Sequence, residues 1–447
     1  MILGIKEGDS QASSQSFISQ EASTAVARLD AWFDTMRGSG GYGGPVSHWW
    51  QQSLVYTGTG LDWRYEGIIA GYIQLWERTN DELWLLKARR AGDDLVSEQF
   101  ENGHFPASSF EINPATAGTP HEAACDVGLL LLALSMQKAG RSGWEAYLTC
   151  AERNLRLFYI EQLWNADVQY FGDSPHTLSF VPNKAATACE ALFLMAELTR
   201  DDQWVERYAI PTLKRIADHQ VDGGGRLDGA IAQNSFGTRR IEKYFPLYIS
   251  RCIPALLRGY RWTNEEQYAD RALRAMAFIG RWAYSDGSIP TVVYPGERVN
   301  RFPSWIAPLG DVLRAAEELR PYGFEADMSM TVHRLLNGQD ETGGIQTAYG
   351  FACQAGGVLS PKPDVRDILH VAGWCDKAFR FLASQAGREL PEGIIAPFEV
   401  DCTFRGKAMQ LVETSDMLEI SCQGLTCYRW RKGEAWVEIA TPEFWLR

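Results

Sequence analysis

The sequence predicts a mainly α-helical protein, an (α/α)6 toroid of six helical hairpins followed by a small β-rich appendage at the C-terminus. Three observations lead to this fold class. Apolar residues recur at helical spacing through most of residues 20–385 of the 447-residue chain. Short polar breaks between helices repeat with a period of about 60 residues. The connections at the other end of each hairpin are long and contain strand-like pieces.

The short breaks share one chemistry. Each begins with Thr or Gly, offers a small polar or acidic capping residue, and ends with an aromatic residue in the first turn of the next helix. These aromatics are Trp84, Trp144, Trp204 and Tyr268, which are 60, 60 and 64 residues apart, and Phe324 continues the series. A period this long holds two helices and one long loop, so the breaks indicate an array of helical hairpins.

Extending outward from the breaks gives twelve predicted helices in six pairs. They are expected near 20–37, 62–79, 81–99, 119–139, 143–163, 184–200, 202–220, 242–262, 265–284, 303–320, 325–337 and 364–385. The Ser- and Gln-rich segment 1–18 is predicted to be a flexible tail. The toroid is therefore expected to span residues 19–387.

An open solenoid would also contain six hairpins, but solenoids keep both kinds of connection short. Here the long connections carry pieces such as 169–173 and 287–294, which have strand character. Closing the array into a ring gathers all the long connections at one end, which we call the mouth. The most apolar helices, with runs such as 127–134 and 191–196, suit an inner ring whose N-terminal turns point into the mouth.

The pattern changes after residue 387. Segments 408–414, 417–422 and 435–440 read as short strands separated by turn residues. We therefore expect 388–447 to form a small β appendage that packs against the toroid.

The starts of the predicted inner helices combine acids with bases or aromatics. The substrate-binding candidates are Trp50, Trp63, Arg64, Glu122, Asn183, Lys184, Arg240, Lys243, Arg301, Trp305 and Trp374. The catalytic candidates are Glu66, Glu242, His121, Tyr244 and Asp126. Each also has a purely structural interpretation: the tryptophans can be core residues, Glu122 can interact with a helix dipole, and Asp126 can tie neighbouring helices together.

These features resemble the six-hairpin glycosidase superfamily, the (α/α)6 toroids that include glycoside hydrolases, polysaccharide lyases and sugar epimerases. The resemblance covers roughly residues 20–385. It rests on the hairpin period, on the acids at inner-helix starts, and on glycine-rich long loops such as 222–228, 285–290 and 341–346. It is architectural, so it implies a carbohydrate-active enzyme without selecting one reaction.

A glycoside hydrolase needs one carboxylic acid to protonate the leaving oxygen and one carboxylate to act on water or on the sugar. Glu66 and Glu242 each lie at the start of a predicted inner helix beside an arginine or lysine. The first hypothesis is therefore a hydrolase, acting on an oligosaccharide that could contain uronate, with this pair as acid and base.

The bases at the helix starts support a second hypothesis. They make the mouth locally cationic in a chain of net charge −13, which favours an anionic substrate such as a uronate or sugar phosphate. A polysaccharide lyase or uronyl epimerase would use Tyr244 or His121 as base, with Asn183 and Arg301 among the groups that neutralise the substrate carboxylate.

Two further classes remain open. Terpenoid and prenyl-type toroids need an aspartate-rich motif or zinc ligands, and the sequence has no DxDD run; His370 with Cys375 is its nearest approach to a zinc motif. A non-catalytic helical scaffold is the other alternative, although it would not need so many aromatic and charged residues at helix starts.

Composition excludes several other roles. The net charge of −13 argues against binding to nucleic acid or anionic membranes. The nine cysteines form no CxxC pair and no signal-peptide pattern is present, so we expect a cytoplasmic protein. Neither a metal nor another cofactor is predicted, and the sequence leaves the oligomeric state open.

Overall fold

The computed structural model describes residues 8–47, 55–56, 59–106, 121–175, 177–353 and 358–439; within these ranges the side chains of 8–18 and 55–56 are not described. The α-helices are α1 (Gly8–Thr35), α2 (Arg64–Thr79), α3 (Glu82–Glu98), α4 (Ala123–Lys138), α5 (Glu145–Asn154), α6 (Pro182–Thr199), α7 (Ile210–Asp218), α8 (Pro246–Ser250), α9 (Cys252–Thr263), α10 (Glu266–Trp282), α11 (Leu309–Leu319), α12 (Ser329–Leu336), α13 (Val365–Ile368) and α14 (Ala372–Gln385). A π-helical segment, Leu155–Leu163, continues α5, and another, Trp204–Ala209, leads into α7.

The predicted helices agree with those observed, with four differences. The helix predicted over 364–385 is divided into α13 and α14, since residues 369–371 are not helical. Helix α1 begins at Gly8, so residues 8–18, predicted as part of a tail, have helical backbone. The helix predicted over 242–262 begins only at Pro246 and is divided at Arg251 into α8 and α9. The helix predicted to start near 303 begins at Leu309, because Ser304–Trp305 forms a strand.

The helices form two concentric rings. Each inner helix contacts the next around the circle α2, α4, α6, α8–α9, α11 and α14, and α14 closes the circle against α2. The outer helices α1, α3, α5, α7, α10 and α12 pack against this ring. The predicted (α/α)6 toroid is therefore confirmed, with the most apolar helices in the inner ring.

Three of the short breaks use the same backbone turn. Asn80, Arg200 and Asn264 each follow an inner helix with positive φ angles of 57°, 60° and 58°. In each case the backbone N–H donates to the carbonyl four residues earlier, which satisfies one of the open acceptors at the helix end. The repeat detected in the sequence is thus a repeated helix-terminating turn.

The long connections contain short antiparallel strands. They are β1 (Arg37–Gly38), β2 (Gly41–Tyr42), β3 (Pro45–Val46), β4 (Val55–Tyr56), β5 (Trp164–Asn165), β6 (Tyr170–Phe171), β7 (Ser179–Phe180), β8 (Asn234–Phe236), β9 (Arg239–Ile241), β10 (Val292–Tyr294), β11 (Arg298–Asn300), β12 (Ser304–Trp305) and β13 (Ala348–Tyr349). Pairing of β7 with β8, and of β12 with β13, joins neighbouring connections at the mouth.

The C-terminal segment contains a four-stranded antiparallel sheet in sequential order. Its strands are β14 (Phe398–Phe404), β15 (Lys407–Glu413), β16 (Met417–Cys422) and β17 (Leu425–Arg431). Two predicted strands coincide with β15 and β16. The third, expected over 435–440, is not a strand within the described residues, where Glu438 makes only an isolated bridge with Arg429.

The sheet is joined to the toroid by a buried ionic cluster around Glu413. This carboxylate accepts hydrogen bonds from Trp32 of α1 at 2.8 Å, from His370 at 2.7 Å and from Lys432 at 2.7 Å. The other ring nitrogen of His370 lies 2.6 Å from an Asp340 oxygen. Burial lowers the pKa of His370, but Asp340 and Glu413 outweigh it and raise that pKa to about 10, so the imidazole is cationic.

None of the helices described above combines the length and the apolar character that a membrane crossing requires.

Candidate functional site

The axis of the toroid is filled by charged side chains rather than by apolar packing. Glu66, in the first turn of α2, is fully buried. Its carboxylate lies 2.5 Å from Arg251, 2.5 Å from Arg380 and 3.4 Å from Arg314. Burial opposes ionisation, but the charges of Arg251 and Arg380 prevail and hold the pKa of Glu66 well below its usual range.

A second buried acid extends this network away from the mouth. Glu190 of α6 accepts a hydrogen bond from Arg314 and lies 3.9 Å from Arg380 and 4.0 Å from Arg258. Burial opposes its ionisation, and Arg314 and Arg380 lower its pKa below the usual value. Two carboxylates shared among arginines from α9, α11 and α14 therefore close the axis beneath the mouth.

An aromatic wall stands on the mouth side of this network. The indole rings of Trp63 and Trp374 lie 6.0 Å apart, and those of Trp305 and Trp374 lie 5.5 Å apart. Trp63 donates to the carbonyl of Gly373, and Trp374 donates to that of Ser47, which fixes both ring planes. These are three of the tryptophans named as candidates, and each is largely but not completely buried.

The electrostatic environment of His121 is positive. The residue is partly buried and lies two positions before the first residue of α4. Burial, together with the positive charges of Arg251, Lys184 and Lys377, lowers its pKa well below the usual value. The imidazole is consequently neutral at physiological pH, in a cationic environment.

Lys377 connects this group with the aromatic wall. Its ammonium lies 2.6 Å from Asp376 and donates to the carbonyl of Trp63 at 3.3 Å. Asp376 is fully buried and also accepts from the backbone N–H of Gly67. Burial raises the pKa of Asp376 to about 8 despite the neighbouring ammonium, so this carboxyl group retains a proton at neutral pH.

The two acids predicted to form a hydrolytic pair occupy different environments. Glu66 lies on the axis with three guanidinium groups. Glu242 is exposed and belongs to a separate cavity of about 440 Å³, which we call the flank pocket. The flank pocket is lined by Ala217, Asp218, Gln220, Val221, Asp222, Leu227, Arg240, Glu242, Tyr244, Arg271 and Pro295. The candidates Arg240 and Tyr244 thus line this pocket with Glu242.

Several other candidates make structural contacts. Arg64 is bound by Asp62 through two hydrogen bonds and donates to the carbonyl of Tyr42. Glu122 accepts from the backbone N–H of Phe105, from the side chain of Asn154 and from Nδ1–H of His104.

Four of the remaining candidates are substrate-binding candidates. Arg301 forms an ion pair with Asp286 and lies over the ring of Tyr284. Lys243 is exposed, and Asn183 is in the first turn of α6. Trp50 lies outside the described residues.

Asp126 has no described hydrogen-bond partner for either carboxylate oxygen, although it is fully buried. Burial, and secondarily the charge of Glu122, raises its pKa well above the usual value. Among the described residues, Asp126 therefore makes no side-chain hydrogen bond that would tie neighbouring helices together.

Sequence reasoning did not identify the cations that define the axis: Arg251, Arg314, Lys377 and Arg380. A signal was present, because each is a charged residue within an otherwise apolar inner-helix segment. Asp311 lies 3.4 Å from Arg251 and belongs to the same axial cluster. Among the described residues, no group of three or more His, Cys, Asp or Glu side chains is arranged to hold a metal ion.

Comparisons with known proteins support the fold. No protein-family model matches the sequence, and no curated protein matches it at a significant level. Among solved structures, the chain is similar to the unsaturated glucuronyl hydrolase from Bacillus sp. GL1, with 14% identity, a TM-score of 0.57 and coverage of 82% of this chain and 96% of the other.

Two further solved structures have different activities. The cellobiose 2-epimerase from Bacillus thermoamylovorans is 10% identical, with a TM-score of 0.57 and coverage of 81% and 99%. An α-1,6-mannanase variant of Salegentibacter sp. HEL1_6, bound to α-1,6-mannotetrose, is 15% identical, with a TM-score of 0.54 and coverage of 82% and 98%. The predicted resemblance to the six-hairpin superfamily is confirmed in its fold.

Proposed function

We propose that this protein is a carbohydrate-active enzyme that transfers a proton at a sugar carbon, as epimerases, isomerases and lyases do. The observation that carries the proposal is His121 at the mouth, whose pKa is lowered by burial and by the positive charges of Arg251, Lys184 and Lys377. The fold supports it by analogy, since similar structures include a cellobiose 2-epimerase and a D-mannose isomerase.

Each part of the mouth has a role in such a reaction. Removing a proton from carbon next to a carbonyl or carboxylate places negative charge on oxygen, which nearby cations stabilise. A neutral imidazole can accept the proton or donate a hydrogen bond, whereas an imidazolium cannot act as a base. The wall of Trp63, Trp305 and Trp374 offers aromatic faces for the apolar side of a sugar ring.

Glycoside hydrolysis is the second candidate, with different residues from those predicted. Asp376 retains its proton up to a pH of about 8, as a general acid requires. Asp311, on the neighbouring inner helix α11, lies 3.4 Å from Arg251 and is 6% exposed. Glu66 suits neither role, because a carboxylate bound by three guanidinium groups has no proton to donate and little basicity.

Incubation with sugars in deuterated water separates the two reactions. We would use mannose, cellobiose, α-1,6-mannotetraose and an unsaturated glucuronyl disaccharide. Proton transfer at carbon predicts deuterium in the recovered sugar, or an unsaturated product, whereas hydrolysis predicts new reducing ends without carbon-bound deuterium. New reducing ends without deuterium would reject the first proposal in favour of the second.

Replacing His121 tests the proposed base. His121→Gln should reduce turnover by about 10²- to 10⁴-fold, the usual contribution of a general base, while circular dichroism and the melting temperature remain close to wild type. His333→Gln, on the outer helix α12, is the matched control and should retain full activity. Wild-type turnover in His121→Gln would remove His121 from the mechanism.

A further inference from the structure

The flank pocket has the size of a binding site and lies apart from the mouth. Its volume of about 440 Å³ is within the range of about 300 to 1,000 Å³ that is usual for small-molecule sites. The lining comes from the end of α7, the connection after it, residues 240–244, Arg271 of α10, and Pro295. No inner helix contributes to this lining, so the pocket is distinct from the axial site.

Tyr244 is a rigid component of this pocket. It is only 2% exposed, and its ring meets Phe278 edge to face at 6.2 Å. Its backbone exchanges two hydrogen bonds with Val293, at 2.9 and 2.8 Å. No described residue forms a hydrogen bond with its hydroxyl group, and the hydroxyl oxygen is not fully buried. The phenol is therefore held in place with its hydroxyl available to the pocket.

Acceptors and donors line the flank pocket together with this hydroxyl. The Glu242 carboxylate has no described ion-pair or hydrogen-bond partner and is close enough to Tyr244 to raise the pKa of its phenol, to which burial contributes most. Arg240 donates one hydrogen bond to the carbonyl of Asp218 at 3.0 Å. Arg271 is positioned by the Ala217 carbonyl and the Gln220 side chain, at 3.1 and 3.2 Å.

The charges of the lining are mixed. Asp218, Asp222 and Glu242 are negative, whereas Arg240 and Arg271 are positive. Asp222 is paired with Arg274 at 2.6 Å and lies 3.6 Å from Arg271, which leaves Asp218 and Glu242 to repel an anion. A metal ion would meet two guanidinium groups. A ligand with many hydroxyl groups can donate to the carboxylates and accept from the guanidinium groups at once. Leu227 and Pro295 add apolar surface for the carbon face of such a ligand.

We propose that the flank pocket binds a neutral saccharide, with Glu242 and Tyr244 as the main hydroxyl-binding groups. This second carbohydrate site is independent of the reaction at the mouth, so it stands even if the proposed proton transfer is rejected.

The test measures binding of cellobiose and methyl α-mannoside to the full chain by ligand-observed NMR, with crystals soaked in the same sugars to locate them. Glu242→Gln should weaken binding and raise the Kd by about tenfold, as expected for loss of a hydrogen bond to a charged group. Tyr244→Phe should weaken it by about threefold, as expected for a neutral hydrogen bond. Lys214→Ala, an exposed change on α7 outside the lining, is the control and should bind like wild type.

Three results would overturn the proposal. The first is failure of both sugars to bind at millimolar concentration. The second is unchanged affinity in both Glu242→Gln and Tyr244→Phe, with sugar found only at the mouth. The third is inorganic phosphate in the flank pocket where neither sugar binds, which would make it an anion site. Both variants alter exposed or pocket-facing atoms, so thermal melting should confirm that they fold.

Discussion

Glu66 and Glu242 have the same side chain and similar positions in the sequence, near the start of an inner helix, yet their environments are opposite. Glu66 is buried on the axis among three arginines. Glu242 is exposed in the flank pocket without a described partner. The difference shows that lying near a helix start does not determine how deeply a side chain is buried. Glu66 is inside α2 and points inward, whereas Glu242 precedes α8, in the connection after β9.

The largest expected effect is at Glu66. Glu66→Gln leaves Arg251, Arg314 and Arg380 buried around a neutral amide, so the free energy of unfolding should fall by about 3–5 kcal/mol. Urea denaturation measures this change. Glu77→Gln, an exposed change on the same helix, is the control and should stay within about 0.5 kcal/mol. A loss below about 1 kcal/mol in Glu66→Gln would mean that the carboxylate does not hold the network together.

A change in the activity of Glu66→Gln would not by itself identify Glu66 as a catalytic residue. Because Arg251 is positioned by Glu66 and is one of the cations near His121, loss of activity in Glu66→Gln would accompany disruption of the site. The variant therefore tests the network, and His121→Gln tests the chemistry.

An intermediate effect of opposite sign is expected at Asp126, an inner-helix acid without a cation. Its folded pKa is raised, whereas the unfolded value is near 3.8. As pH rises above about 4 the unfolded chain releases a proton that the folded chain retains, so the residue costs stability increasingly towards neutral pH. Asp126→Asn should raise the free energy of unfolding by about 1–3 kcal/mol at pH 7.5 and by less at pH 4.5.

Denaturation curves at these two pH values check this prediction. Asp311→Asn, which loses a carboxylate beside Arg251, should instead destabilise the protein at pH 7.5. An Asp126→Asn variant that is less stable than wild type at both pH values would show that the carboxyl group has a favourable partner.

Much of the fold could be predicted because the short breaks are local. A helix end with a left-handed residue such as Asn80, followed by a cap and an aromatic such as Trp84, is encoded within a few positions. The period of these breaks then set the number of hairpins. The strand expected at 435–440 failed because alternation alone does not show which segment pairs with the sheet edge.

The site could be predicted only in part. Trp63, Trp305 and Trp374 were named because aromatics recur at helix starts, and the structure brings them together. The partners of Glu66 could not be named, since Arg251, Arg314 and Arg380 lie 185, 248 and 314 residues further along the chain. Such contacts depend on ring closure and on the rotation of each helix, which local patterns do not specify.

The smallest expected effect is at Glu242. Glu242→Gln should leave the free energy of unfolding within about 0.5 kcal/mol of wild type, because an exposed carboxylate without an ion pair contributes little. The same urea denaturation measures it. A loss above about 1 kcal/mol would show that Glu242 supports the fold, and the contrast with Glu66 would disappear.

The cluster at Glu413 has a practical consequence for shortening the chain. Trp32 lies in α1, and His370 lies two residues before α14. Glu413 on β15 forms hydrogen bonds with both, so one carboxylate links the first and last helices of the toroid. A truncation after residue 387 would keep every helix yet remove Glu413, leaving Asp340 as the one described carboxylate paired with the buried His370. A shortened chain designed to keep the helical region folded should therefore extend through Lys432. It then includes the strands of the C-terminal sheet and the Lys432 ammonium, which also binds Glu413.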